Sequence, residues 1–289
     1  MASSSMTTAI ECVPCLARQA AEAVTQVVED PAAAEDLLRT LLREIAGADW
    51  QGSPPVVAQR IHRVIRRELD CQDPYAEIKS DMNRAAERLV PALREAMAGR
   101  PDPREAAVRL AIGGNLLDSG ARTRVTAEDL AHHVDSIWTQ PLHGSVEDLF
   151  RAADDARSIL YLADNAGEIY FDRLLVEQLP VEKITLVVRG SPVLNDATVE
   201  DAVAAGLTEL VPVIGNGSDA PGTILDDCSE EFRRRFETAD LVIAKGQGNY
   251  ESLAGTDRPV FFLFTVKCPV VARQVGAPVG TLVVGRAGT

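Results

Sequence analysis

The chain has no apolar run of the roughly 18 residues that a membrane-crossing helix needs, so no transmembrane helix is expected. Positive charge is also short. Against 43 Asp and Glu stand 29 Lys and Arg, a formal net charge of −14. A phosphate backbone calls for basic surface, so nucleic-acid binding is not expected. Cysteine is scarce and odd in number, at five (Cys12, Cys15, Cys71, Cys228 and Cys268), which argues against an all-paired disulfide framework and fits a reducing compartment. There are only four histidines, with no ligand spacing among them; His62, His132, His133 and His143 read as structural or solvated. The opening stretch, Met1 to Thr8, lacks the basic-then-apolar layout of a signal peptide, and a cytoplasmic protein is expected. No internal repeat or low-complexity tract is found.

At 289 residues, 46% of them hydrophobic and 25% charged, the chain can bury one large core or two smaller ones. The first 140 or so residues carry helical patterning. Leu37, Leu38, Leu41, Leu42 and Ile45 form one apolar face over 32–46, and further helices are expected over 15–28, 56–69, 76–97 and from Pro103 towards Gly113-Gly114. After a helix over 145–156 the pattern alternates. Strands are expected at 159–163, 184–188, 209–214, 240–244, 260–266 and 281–284, with helices near 168–179, 197–205 and 229–237. Alternation of this kind predicts an α/β fold, a three-layer α/β/α arrangement around a mainly parallel sheet, behind an N-terminal all-helical region. The composition shifts near residue 145, which divides the chain into a helical region or cap (1–144) and an α/β/α core (145–289).

The strand ends carry the chemistry. In open α/β sheets ligands sit beyond the carboxyl ends of the strands. The first strand runs into Asp164-Asn165-Ala166-Gly167-Glu168, and the second is followed by Arg189-Gly190 and then Asn195-Asp196. Each offers an amide and a carboxylate, oxygen donors that suit a hard divalent cation. A third strand ends in Lys245-Gly246, a glycine turn that lets backbone approach a ligand, and a fourth in Lys267-Cys268-Pro269. A cation beside two ammonium groups suits a phosphate ester, whose transition-state charge both would offset. Such local positive charge is what a chain this acidic needs to receive an anion.

Each feature has a plainer alternative. Asp164, Asn165 and Asp196 could cap the following helices. Glu168 could complement a helix dipole, hold substrate hydroxyls or orient a water. Asn195 could ligate, bind a phosphoryl oxygen or only shape its turn. Lys245 could be a solvated surface lysine, although its place after an apolar strand favours a site role. Cys12-x-x-Cys15 could bind zinc if Cys71 and Cys268 joined it; reduced buried thiols are the simpler reading.

In this order the motifs resemble the metal-dependent damage-control phosphatase family, with its acidic-residue-methyltransferase-like domain, over nearly the whole chain. The matching residues are Glu11-Cys12-Val13-Pro14-Cys15 with Arg18-Gln19, Asp73-Pro74-Tyr75 with Lys79 and Asn83, Gly114-Asn115 with Asp118, Asp164 to Glu168 with Asp172, Arg189-Gly190, Pro192 to Asp196 with Glu200-Asp201-Ala202, Asp240 to Glu251, and Lys267-Cys268-Pro269. The cysteine pair is similar to the stand-alone archaeal and bacterial branch.

The resemblance implies a hydrolase acting on small phosphorylated metabolites such as sugar phosphates or damaged intermediates. It implies a divalent metal (Mg, Mn, Co or Ni) held by Asp164, Asn165 and Asp196. Asp164, Lys245 and Lys267 would be catalytic, with Asn115, Glu168, Asn195, Gly246 and Asn249 around the substrate. Where the eukaryotic branch has an arginine three residues before the lysine, this chain has Phe264. No glycine-rich methyl-donor loop follows the first strand, which ranks methyl transfer low. The alternatives are a metal-dependent lyase or non-phosphatase hydrolase on the same scaffold, or a non-catalytic partner-binding module. Oligomeric state is left open.

Overall fold

A computed structural model describes residues 6–114 and 136–286. The described residues begin with the helices α1 (Cys12–Val27), α2 (Pro31–Ala46), α3 (Pro54–Leu69), α4 (Ala76–Ala98) and α5 (Pro103–Gly113). Asp30 caps α2 by accepting from Ala33 N, and Asp102 caps α5; both helices carry proline in their first turn, where its missing N–H costs nothing.

A seven-stranded sheet follows, in the order β1-β7-β6-β5-β2-β3-β4. The strands are β1 (Leu142–Gly144), β2 (Ile159–Leu162), β3 (Ile184–Val188), β4 (Val213–Gly215), β5 (Leu241–Lys245), β6 (Val260–Thr265) and β7 (Leu282–Arg286). All pairs are parallel except β6 with β7. The central strands β2 and β5 are buried along their whole length, as expected of parallel strands covered on both faces. The winding reverses between them: β3 and β4 are laid down on one side of β2, then β5, β6 and β7 on the other. A crevice is expected at the carboxyl ends of strands at such a reversal.

Three apolar clusters hold the molecule. On one face of the sheet, Ile159, Tyr161, Leu186, Ile243 and Leu263 pack against residues of α4, α5 and the Glu168–Val176 helix. On the other, Leu160, Leu162, Val187, Phe262 and Phe264 pack against Phe232, Phe236, Tyr250 and Leu253. A third cluster joins α1, α2 and α3 through Leu16, Leu41, Ile61 and Ile65. The N-terminal helices thus divide: α4 and α5 belong to the sheet's own core, while α1–α3 have a core of their own. Side chains of α3 reach the sheet's loops, with Arg66 donating to Pro192 O at 2.7 Å and Gln59 to Asp219 at 2.6 Å.

Two strands differ from the sequence reading. Residues 209–214 are not one strand: Leu207–Glu209 is a 3-10 turn after the left-handed Gly206, and β4 begins at Val213, after Pro212, which has no N–H to give. β1 was not foreseen; three residues pairing at the edge with β7 carry too little pattern to read.

Candidate active site

Three strand ends build the site. β2 leads into Ala163-Asp164-Asn165, β3 into Arg189 and a loop returning at Asn195-Asp196, and β5 ends at Lys245, where Gly246 opens the next helix. Backbone hydrogen bonds zip the first two loops together. Ala197 N donates to Asp164 O and Ala166 N to Asn195 O, both at 2.8 Å, and Asn165 and Asp196 form an isolated antiparallel bridge. The three expected cation ligands are therefore neighbours fixed by main chain, not by side-chain luck.

Asn165 is oriented by chemistry. Its Nδ2 donates to Asp164 Oδ2 at 3.0 Å and to Glu168 Oε2 at 2.9 Å. With Nδ2 turned to these two carboxyl groups, Oδ1 is the atom it offers a ligand. Gly246 has a φ of +80°, and a Cβ there would lie 2.0 Å from Asp164 Oδ2. The glycine's task is to admit the Asp164 carboxylate rather than to touch substrate.

Burial, and then the charges of Glu168 and Asp196, hold the Asp164 carboxyl well above the usual carboxylate range. Crowded, buried carboxylates gain from a cation. Two carboxylates and an amide oxygen make a hard donor set, which fits magnesium or manganese.

Asp164, Asn165, Asn195 and Asp196 line one cavity of about 430 Å³. Its walls also include Lys267, Cys268 and Glu251, and Glu11 with Cys15, Arg18, Gln19, Glu22 and Gln26 of α1. The α1 positions recur at the helical period; Leu16 and Ala23 reach both the cavity and the cap core, while Ala20 and Val24 turn into the core. Lys267 is exposed, and its backbone N is fixed by Gln247 Oε1 at 2.9 Å. Gln247 also donates to Glu251 Oε1 at 2.8 Å, and burial pushes the Glu251 carboxyl up to about 7.

Other expected residues stand elsewhere. Lys245 does not face the cleft. It is 0% exposed, and Nζ donates to Ala111 O (2.6 Å), Glu168 Oε1 (2.7 Å) and Asp172 Oδ1 (2.6 Å). Burial pulls the Lys245 ammonium down, but Asp172 and Glu168 together hold it above its ordinary value. Glu168 is 1% exposed and serves this interior centre, where Tyr161 Oη also donates to Asp172 at 2.8 Å. Asn249 lies beneath the cleft floor. Its Nδ2 donates to Lys245 O (2.7 Å) and Ala163 O (3.3 Å), and its Oδ1 accepts from Thr223 (2.8 Å) and Arg189 (3.2 Å). Asn115, expected in the cleft wall, lies outside the described residues.

All five cysteines are free thiols. Cys12 and Cys228 are buried, Cys268 is half-buried, and Cys15 and Cys71 are exposed, so the expectation of buried thiols fails for those two. Cys12, Cys15 and Cys268 share the cleft wall, which Cys71 does not join. Among the described residues no group of three or more His, Cys, Asp or Glu side chains is arranged to hold a metal ion.

Two residues in the site carried no assigned role in the sequence reading. Asp172 completes the Lys245 centre. Arg189, at the end of β3, is 3% exposed and donates through Nε to Asp196 Oδ2 at 2.6 Å. The signal for Arg189 was there, an arginine following five strand residues without a break, but nothing local said which way it turned.

A profile described as the damage-control phosphatase ARMT1-like domain matches residues 8–283. A damage-control phosphatase of Archaeoglobus fulgidus is 39% identical over 233 residues, covering 78% of this chain and 80% of that protein. Damage-control phosphatase PH1575 of Pyrococcus horikoshii is 34% identical over 279 residues, covering 94% and 96%. The crystal structure of that Pyrococcus horikoshii protein, described as a DUF89 family protein, superposes with a TM-score of 0.88 at 32% identity, over 98% of this chain and 99% of that one.

Proposed function

The chain belongs to the damage-control phosphatase ARMT1-like family, and from that premise we propose that it is a divalent-metal-dependent phosphatase of small phosphorylated metabolites. The observation that carries this reading is the meeting of Asp164, Asn165 and Asp196 in a cavity that Lys267 also lines. Asp164 and Asp196 would hold the cation with Asn165 Oδ1. When bound, the cation supplies charge to a phosphoryl oxygen and lowers the pKa of a water.

The chain's own residues do the rest. Lys267, exposed at the rim, meets the phosphate and neutralises the charge that develops on its oxygens. Asp164 is held by Asn165 and crowded by Glu168 and Asp196, which suits a fixed ligand better than a nucleophile. Attack by water on phosphorus with release of the alcohol is therefore favoured over an aspartyl phosphate. The α1 stripe closes over the site and presents Arg18, Gln19 and Glu22 to the organic part of the substrate, polar groups suited to hydroxyls. Among the described residues no helix is long and apolar enough to cross a membrane.

The test is phosphate release from p-nitrophenyl phosphate and a panel of sugar phosphates. Chelator-stripped protein would be reloaded separately with magnesium, manganese, cobalt or nickel. Turnover that appears only with metal is expected. Folded, metal-loaded protein that releases no phosphate from any ester would overturn the proposal.

A further inference from the structure

Arg189 is an arginine in the interior: its side chain is 2% exposed, and it stands where the ends of β2, β3 and β5 meet. Its Nε donates to Asp196 Oδ2 at 2.6 Å, and its Nη1 donates to Asn249 Oδ1 at 3.2 Å. Its Nη2 lies 3.6 Å from Asp164 Oδ1 and has no hydrogen-bond partner. Asn249 is in turn anchored to Ala163 O on the β2 side and to Lys245 O on β5. One planar group therefore hydrogen-bonds the Asp196 side chain and, through Asn249, the ends of β2 and β5, while pairing electrostatically with Asp164.

We propose that Arg189 is a positioning residue for the cation. Its fork holds Asp164 and Asp196 at a fixed separation and takes their inner side, so that the pair is already assembled when the cation enters from the cleft. The main chain fixes the two loops, but two like-charged side chains on them would otherwise turn away from each other, and the cation would have to draw them together at the expense of its own affinity. A lysine cannot do the same work, because a point charge on a flexible stem lacks the fixed fork. This inference rests on the reading of Asp164 and Asp196 as cation ligands.

It also carries a sign that separates it from a simple charge effect. A cation beside a cation site repels, so removing Arg189 would tighten divalent binding if charge alone mattered. Positioning predicts the reverse. The experiment is isothermal titration of Mn2+ into the parent protein, Arg189→Lys and Arg189→Gln. The melting temperature of each metal-free protein and the KM of the phosphatase are recorded beside it.

Arg189→Lys keeps the charge and is expected to fold, to bind Mn2+ about tenfold more weakly and to leave KM near the parent value. Arg189→Gln is expected to bind more weakly still. Mn2+ binding by Arg189→Lys as tight as the parent's, or tighter binding by folded Arg189→Gln, would overturn the role of Arg189. Should the glutamine variant not fold, the lysine variant decides alone. A parent protein that binds no Mn2+ would instead overturn the reading of the carboxylates as ligands, so the two failures are distinguishable.

Discussion

Two charge centres lie side by side beneath the carboxyl ends of β2, β3 and β5, and they have been finished differently. In the inner one, Lys245 sits between Glu168 and Asp172, with Tyr161 Oη and Ala111 O completing it, and no part of the lysine reaches solvent. In the outer one, Asp164 and Asp196 share Arg189 at their back and line the cleft at their front. Asn165 joins the two by donating to both Asp164 and Glu168. The materials are the same, two carboxylates and one cation in each. The inner centre is closed by protein and stiffens the floor. The outer one keeps a face towards the cavity, and that open face is where chemistry can occur.

The contrast can be broken from either side. The largest effect is expected at the open centre: Asp164→Ala should lower metal-dependent phosphate release by about a thousandfold or more, a loss of roughly 4 kcal/mol of transition-state stabilisation. Thermal unfolding without metal should show that variant as stable as the parent or more so, because a crowded buried carboxylate has gone. A variant that kept full turnover would sink the assignment.

At the closed centre the order reverses. Lys245→Met strands Glu168 and Asp172 and should cost about 3–5 kcal/mol in urea unfolding. A variant as stable as the parent but inactive would mean that Lys245 acts on substrate after all.

Metal should sharpen the difference. Mn2+ at a hundred times its Kd should stabilise the parent by about 2.7 kcal/mol and leave Asp164→Ala where it was. Gly246→Ala places a Cβ against Asp164 at a positive φ and should cost about 1–3 kcal/mol while also weakening Mn2+ binding; calorimetry and melting on the same sample would separate the two.

The smallest effect is in the cleft wall. The Glu251 carboxyl, about 7 when folded against an ordinary 4.5, binds its proton more tightly in the folded state. Between those values the folded protein carries more protons than the unfolded chain, so stability should fall as pH rises through the window and level off above about 7. Glu251→Gln should flatten that slope in melting curves taken across the range.

Much of the site was legible because its signals are local. Asp164-Asn165 and Asn195-Asp196 each follow an apolar strand, and a polar residue at a strand end in an alternating chain points to the crevice whatever the rest of the fold does. The two lysines show where that reasoning stops. Both follow strands and look equivalent in sequence. Lys245, however, is the last residue of β5 and shares the face of Leu241 and Ile243, which turns it under α5 and the Glu168–Val176 helix. Lys267 comes two residues after β6 ends and is carried past the sheet into the cleft. Arg189 was undecided for the same reason.

What the sequence determined by itself is most of the order of strands and helices, the apolar faces, and the oxygen-rich turns, since each depends on residues within one or two turns of chain; it missed β1 and the short helices Gly246–Leu253 and Pro269–Val275. Which charges are closed in and which are left open was decided only by tertiary structure. That choice depends on the helix lying over each strand end, and the distance from Ala111 to Lys245 or from Arg189 to Asn249 is a matter of packing between segments far apart in the chain.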